Sequence, residues 1–477
     1  MLCKFYISHL YTKHPALRLP PGPPELPLIG SLHHFLLSRF RDLPHRTMHE
    51  LSTAYGPLML LRLGTVPTVV VSSGEMAMEI TKIHDLSFCS KPLSPTTDII
   101  SCGGRDIAFS PYNEHWRELR KICMLNLLNQ RRVLDFRHVR EDEVARLIHA
   151  VTNEWSNGQL INLSEKIFCM VNDIVLRTTI GRRSKHRDEF LHELEGVMRL
   201  ICGFNLVDLY PSSKLIHWLS TSARDIGKCQ SRIYHIIESI IHERDTTLAV
   251  AQDDLLSVLL KLQKDGELQF TLTNEIISAV IFDIFTGGSD TAATTLEWAV
   301  SELVKNPRAL HKAQSEVRET FNGQRRLVIK ETLRLHPPAP LVPRECREKC
   351  QIMGYDVPKG MAVVINIWAI GRDSKYWDAA EEFRPERFYN SSIDFKGTDF
   401  EYIPFGAGRR ICPGMTYGNS IMELALASLL YYFDWELPAG VKTEDFNMTE
   451  DFGLTVKRKS KLLLHAKPHY NFEHNAN

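Results

Sequence analysis

No part of this sequence narrows the possible folds more than the run from Asn274 to Val304. Apolar residues recur there at helical spacing for 31 residues, which predicts a single helix roughly 46 Å long. Thr273 can cap it, Glu275 suits the positive end of its dipole, and Asn306-Pro307 stops it. A rod of that length crosses a whole domain, so the remaining chain has to pack around it. Its middle reads Phe285-Thr286-Gly287-Gly288-Ser289-Asp290-Thr291. Two adjacent glycines cost a helix about 1 kcal/mol each relative to alanine. Either another backbone packs closely there, or a flat ligand lies against the helix with an acid and an alcohol beside it.

Around this rod the chain is long and balanced. It has 477 residues, 44% hydrophobic, with 57 basic and 57 acidic side chains. Zero net charge argues against nucleic-acid binding by bulk electrostatics. The 10 cysteines are scattered, with no CxxC pair and no zinc-type Cys/His spacing. Cys346 and Cys350 lie four apart, but no His or third Cys stands near to complete a tetrahedral site. Such cysteines read as reduced and intracellular, without a disulfide framework. Residues 1–16 read as a truncated or vestigial anchor: Met1 to Tyr11 is apolar but carries Lys4 and His9, short of the ~20 apolar residues a span requires. No small-residue cleavage site of the secretory kind follows. Pro20-Pro21-Gly22-Pro23-Pro24 makes 17–30 a stiff, non-helical hinge. Beyond it, 31–477 reads as one body. Leu58 to Val71 predicts a hairpin, Glu114 to Val304 mostly helix, and Ala362 to Ile367 and Gly453 to Val456 short strands. Phe383 to Phe388 and Gly406 to Gly414 read as loops. The expected class is mainly α with small β-sheets, α+β.

The second constraint is Phe405-Gly406-Ala407-Gly408-Arg409-Arg410-Ile411-Cys412-Pro413-Gly414, which fits F-x-x-G-x-R-x-C-x-G at every fixed position. A thiolate that binds iron must be deprotonated, and the metal and backbone N–H donors favour that form. Gly408 and Gly414 allow a tight turn under a porphyrin, Phe405 keeps water from the sulfur, and Arg410 offers a planar fork to a propionate. Gly406-x-Gly408 is no dinucleotide loop, because Ile411 fills the third glycine's place.

With these residues the chain resembles the cytochrome P-450 superfamily from about Pro20 to its C-terminus. Glu331-Thr332-Leu333-Arg334 matches E-x-x-R, Phe383 to Phe388 matches F-x-P-E-R-F, and Trp116 to Arg120 matches W-x-x-x-R, all in the family's order. The proline hinge, Asp399 to Pro404 and Phe452-Gly453-Leu454-Thr455 resemble plant microsomal members of the seventy-one clan.

The resemblance implies the P-450 fold, with haem b between the long central helix and the cysteine loop, and Cys412 as axial iron ligand. Trp116, Arg120, Arg344 and Arg410 would hold propionates, with Phe405 and Gly414 shaping the loop. Glu331, Arg334 and Arg387 would form a buried ionic triad. Asp290 and Thr291 would deliver protons to dioxygen, Asp290 linking Thr291 to solvent. The implied activity is a monooxygenase acting on a small hydrophobic plant metabolite, terpenoid-like, with electrons from an NADPH-cytochrome P-450 reductase docked near Arg117, Lys121 and Arg409. The implied location is the cytosolic face of the endoplasmic reticulum membrane. Ser94 to Asp106, Ile201 to Leu209, Phe282 to Thr291, Pro338 to Pro343 and Phe452 to Val456 resemble the family's substrate-recognition stretches.

Three departures from the family pattern stand out. The membrane anchor is incomplete. Ala292 replaces the Ser or Thr usual after Asp-Thr. Only 40 residues lead from Thr291 to Glu331, where relatives have roughly twenty more, about five helical turns. That gap implies that the connecting helix and the start of the Glu331 helix are missing, and the triad displaced. Two other readings follow: a loop-deleted variant with impaired haem binding, and a haem-thiolate isomerase or dehydratase independent of reductase.

Overall fold

A computed structural model describes residues 17–39, 43–181, 187–201, 204–246, 254–266, 268, 270–319 and 324–469. The anchor expected at 1–16 lies outside the described residues. The central helix, Asn274–Lys305, starts where its cap predicts: the Thr273 hydroxyl accepts from Ile276 N–H. It runs one residue past the expected Val304 before Asn306 and Pro307 end it. Most of its side chains are buried, from Ile276 and Phe282 to Trp298 and Leu303. Helices Leu163–Ile180 and Met415–Tyr432 cover it most extensively. By length and composition it could cross a bilayer, but its apolar surface is already spent on these neighbours.

The hairpin forms as expected, Leu58–Leu63 pairing antiparallel with Val66–Val71 so that Leu60 faces Val69. Val66–Val71 then runs parallel to Ala362–Asn366, which pairs antiparallel with Leu341–Glu345. The strand expected at Gly453 to Val456 is displaced. Glu450–Phe452 pairs with Val456–Arg458, and the register Phe452↔Val456 makes 453–455 the turn between them. One core surrounds the central helix, while a second joins the sheet to Phe400, Ile403 and Ala407 on the approach to the cysteine loop.

The expectation for the short stretch before Glu331 is overturned. A connecting helix is present at Pro307–Glu319, and the Glu331 helix spans Gln324–Leu335. The reason is local. Pro307 starts the first helix at a position where its missing N–H costs nothing, and Ala313 and Val317 bury its inner face. The triad is assembled. Glu331 accepts from Arg334 through both carboxylate oxygens at 2.8 Å and from Arg387 Nε at 2.9 Å. Arg334 Nη1 also donates to the carbonyls of Gly371 and Ala380, each at 2.7 Å. Tyr402 donates to the carbonyl of Lys330 at 2.7 Å, tying this helix to the segment that enters the cysteine loop.

A second buried ionic group fixes the C-terminal hairpin. Glu450 accepts from Arg46 Nε at 2.7 Å and lies 3.2 Å from His45 Nε2. Burial alone would raise the Glu450 carboxyl, but hydrogen bonds and charge from His45 and Arg46 hold it well below its usual range. Burial lowers His45 and His49, the latter helped by Arg372. A histidine lowered on folding contributes stability above its unfolded value of about 6.5, and loses it as pH falls from there. The thermal midpoint should therefore hold near pH 7–8 and decline below about pH 6.5, before any Glu450 contribution is lost. His49→Gln should flatten that decline; a midpoint unchanged at about pH 5 would contradict this account.

Candidate functional site

The cysteine loop is shaped by what it packs against. Gly408 has φ +69°, and a Cβ there would sit 2.3 Å from the carbonyl oxygen of Thr81 and 2.5 Å from Asp85 Oδ1. Asp85 also accepts from Arg409 N–H at 3.2 Å and pairs with its side chain at 3.1 Å. Gly406, at φ +72°, makes the preceding turn, after which Cys412 N–H donates to the Phe405 carbonyl at 2.9 Å. The Phe405 ring meets Phe395 edge-on at 5.2 Å. Gly414 caps helix Met415–Tyr432, so Cys412 lies at the positive end of that helix. Burial raises its thiol, against lowering by the Gly414 N–H, Arg120 and Lys91. A bound iron would add a cation that favours the thiolate further.

A basic group borders this loop. Arg120 donates to the Ile411 carbonyl. Arg410 stacks 3.9 Å over Trp116 and donates to the carbonyls of Cys89, at 2.6 Å, and Ser110. Trp116 Nε1 donates to the Ile107 carbonyl at 3.0 Å. Three of the four expected propionate partners thus rest on backbone oxygens. Arg344 does so with one nitrogen only: it is buried, Nη1 donates to the Pro343 carbonyl at 2.9 Å, and Nη2 has no acceptor among the described residues. Burial lowers Arg344 to about 10, and burial together with the Arg344 charge lowers Arg410 to about 9. Lys91 belongs to the same group, lowered to about 7 by burial and by these two arginines. Such a concentration of buried positive charge suits a dianion.

Lys91 was not among the residues singled out from the sequence, and neither were two carboxylates that shape the group. Asp283, on the central helix, accepts from Ile107 N–H at 2.7 Å and Ala108 N–H at 3.1 Å. Asp106 accepts from Phe109 N–H at 3.0 Å and Ser110 N–H at 2.7 Å. Together they fix the loop whose carbonyls receive Trp116 and Arg410. Burial raises both carboxyls, Asp106 to about 6. A lysine before Pro92 was the one available hint for Lys91; nothing local marks Asp283.

The adjacent glycines of the central helix have different reasons. A Cβ at Gly288 would lie 3.3 Å from Val175 Cγ2, so close helix packing explains it. A Cβ at Gly287 would meet nothing within 4 Å, leaving room beside the helix there. Thr291 donates to the Gly287 carbonyl at 2.7 Å. Asp290, expected to link Thr291 to solvent, pairs with Lys457 at 2.5 Å and accepts from Thr455. Ala292 is buried in the core, where a hydroxyl would need a partner.

Hydrogen bonds tie the first of the five stretches to the second, and the fourth to the fifth. Thr96 donates to Asp208 through N–H at 3.0 Å and hydroxyl at 2.6 Å, and Val456 N–H donates to the Pro338 carbonyl at 2.9 Å. Residues 202–203 lie outside the described residues. Arg117 and Lys121 are exposed on the helix face opposite Trp116. Lys121 is 3.7 Å from Glu118, and Arg409 is partly spent on Asp85.

A family model described as Cytochrome P450 matches residues 20–464. Dolabradiene monooxygenase of Zea mays is 46% identical over 96% of this chain and 94% of its own. The 5-epiaristolochene 1,3-dihydroxylase of Nicotiana tabacum is 44% identical over 95% and 93%. A zebra fish cytochrome P450 solved with progesterone superposes with a TM-score of 0.76 at 23% identity, covering 89% of this chain and 99% of that one.

Proposed function

The chain belongs to the cytochrome P450 family, among plant members of the seventy-one type, and from that premise we propose that this monooxygenase oxidises a terpenoid hydrocarbon with Cys412 as iron ligand. The observation that carries the site assignment is the half-buried Cys412, at a helix N-terminus, beside a basic group in which Arg344 Nη2 lacks an acceptor among the described residues. That donor set fits haem b: a soft thiolate for the iron, and Arg344, with Lys91, Arg120, Arg410 and Trp116 around it, for two propionates. When bound, a haem-thiolate supplies the oxygen activation that places one atom of dioxygen in a C–H bond. The protein's own residues hold the propionates, keep water from the sulfur through Phe405, and hold protons at Asp290 and Thr291.

Terpenoid choice is supported by relatives at about 45% identity, a dolabradiene monooxygenase and a 5-epiaristolochene 1,3-dihydroxylase among them. NADPH-cytochrome P-450 reductase is the proposed electron donor, with Arg117 and Lys121 offering exposed positive charge. Membrane-surface attachment, at the endoplasmic reticulum, is supported by exposed apolar side chains. Leu36 and Leu37 stand out on the short helix Leu32–Leu37, and Leu215, Trp218 and Leu219 on Lys214–Leu219, Trp218 being 75% exposed.

The test is the reduced, carbon-monoxide-bound spectrum, followed by reductase-coupled turnover of a terpene hydrocarbon panel. A thiolate-type Soret band and NADPH-dependent hydroxylated products are expected. Haem-free protein would favour the loop-deleted reading; turnover of hydroperoxides without NADPH would favour the isomerase.

A further inference from the structure

The C-terminal hairpin takes hold of the central helix's acid from two sides. Lys457 Nζ is 2.5 Å from Asp290 Oδ1, and Thr455 donates its hydroxyl to Oδ2. Both carboxylate oxygens are thus committed to one hairpin, whose base is held by His45 and Arg46 through Glu450. Beside this ion pair lies a cavity of about 10 Å³, lined among others by Phe168, Glu195, Thr286, Ser289, Asp290 and Lys457. That is roughly the room one water needs. Ser289, in its wall, is buried and its hydroxyl has no partner among the described residues, which a water would provide. Lys457 reaches from there toward solvent: its side chain is 36% exposed, and Nζ passes 5.6 Å from the Phe168 ring.

We propose that Lys457 is a positioning residue for proton supply, holding Asp290 at a water site shared with Ser289 through which solvent protons reach the acid. This rests on the monooxygenase reading. A water in the site gives a proton to a carboxylate oxygen of Asp290, and a solvent proton neutralises the hydroxide left behind. Asp290 then turns from Lys457 and passes that proton to Thr291 Oγ1, as the hydroxyl gives its own to the dioxygen that is being reduced with NADPH-derived electrons. The returning carboxylate is recaptured by the ammonium group, and no residue of the relay is itself oxidised or reduced.

The experiment uses haem-loaded Lys457→Met and Lys457→Arg with an NADPH-dependent flavoprotein reductase, in air and without substrate. Electrons then leave as hydrogen peroxide, at one NADPH per dioxygen, or as water, at two, and the second route needs the extra protons. Lys457→Met should raise both the peroxide share and the solvent deuterium effect on NADPH consumption at least about two-fold. Lys457→Arg should return both toward the parent, and Thr455→Val should move them less, in the same direction. Unchanged values in Lys457→Met, or equal changes in Lys457→Arg, overturn the proposal. A protein structurally altered by the change would show a shifted thermal midpoint instead; if Lys457→Met loads no haem, Lys457→Gln measured identically decides. Absence of the thiolate-type Soret band in the parent would sink the monooxygenase reading, not this assignment alone.

Discussion

Cys412→Ser is expected to abolish the thiolate-type Soret band of the reduced, carbon-monoxide-bound protein and to cut oxygenation at least about a thousand-fold, roughly 4 kcal/mol of transition-state stabilisation. The fold should survive. The loop is closed by backbone bonds, Cys412 N–H to Phe405 and Ile411 N–H to Gly408, which a serine keeps. Gly406 and Gly408 retain their turns, so the cost falls on the iron bond and not on the turn. Cys89, whose carbonyl receives Arg410, is not placed to substitute: its thiol donates to the Leu86 carbonyl, and burial raises it. Persistence of the red-shifted band in the serine variant would mean that the assignment of the ligand is mistaken.

Glu331→Gln should be the most damaging change to stability, costing about 3–5 kcal/mol and releasing haem along with the fold. The glutamine keeps the volume but removes the charge that two arginines share. Arg334, itself fully buried, would be left with carbonyl partners alone. Those carbonyls, of Gly371, Ala380 and Glu382, lie on the chain leading to the Phe383–Phe388 segment, so the disturbance spreads toward the cysteine loop. Replacing Glu331 and Arg334 together by Leu and Met should recover part of the loss, because the fully buried guanidinium goes with its partner, while Arg387 keeps the carbonyls of Asp378, Ala379 and Glu382. Thermal unfolding and haem retention on desalting read both effects. A single variant within about 1 kcal/mol of the parent would show that the triad carries little of the fold.

What could be read from the chain was what acts locally. Thr273 sets the start of the central helix within one turn, Val66 and Leu63 alternate into a hairpin, and five fixed residues give the cysteine loop. What escaped depends on partners far along the chain. Asp283 meets a loop 176 residues earlier, and Lys457 meets Asp290; neither has a sequence neighbour that reveals it. The shortened stretch before Glu331 misled for a different reason. Counting residues against longer relatives located the loss in helices, whereas the capping proline and inward Ala313 and Val317 preserve a helix there. The pair Gly287-Gly288 was legible as a problem but not as two solutions, since the distance to Val175 is set by another helix.

The parallel pairing of Val66–Val71 with Ala362–Asn366 has a consequence for biosynthesis. The strand that covers the hairpin's open edge is made about 290 residues later. At ~5–20 residues per second, that delay lasts on the order of 15–60 s. Throughout it a valine-rich edge is free to pair with another nascent chain, so crowded polysomes, more than the finished enzyme, are where this protein is most exposed to aggregation.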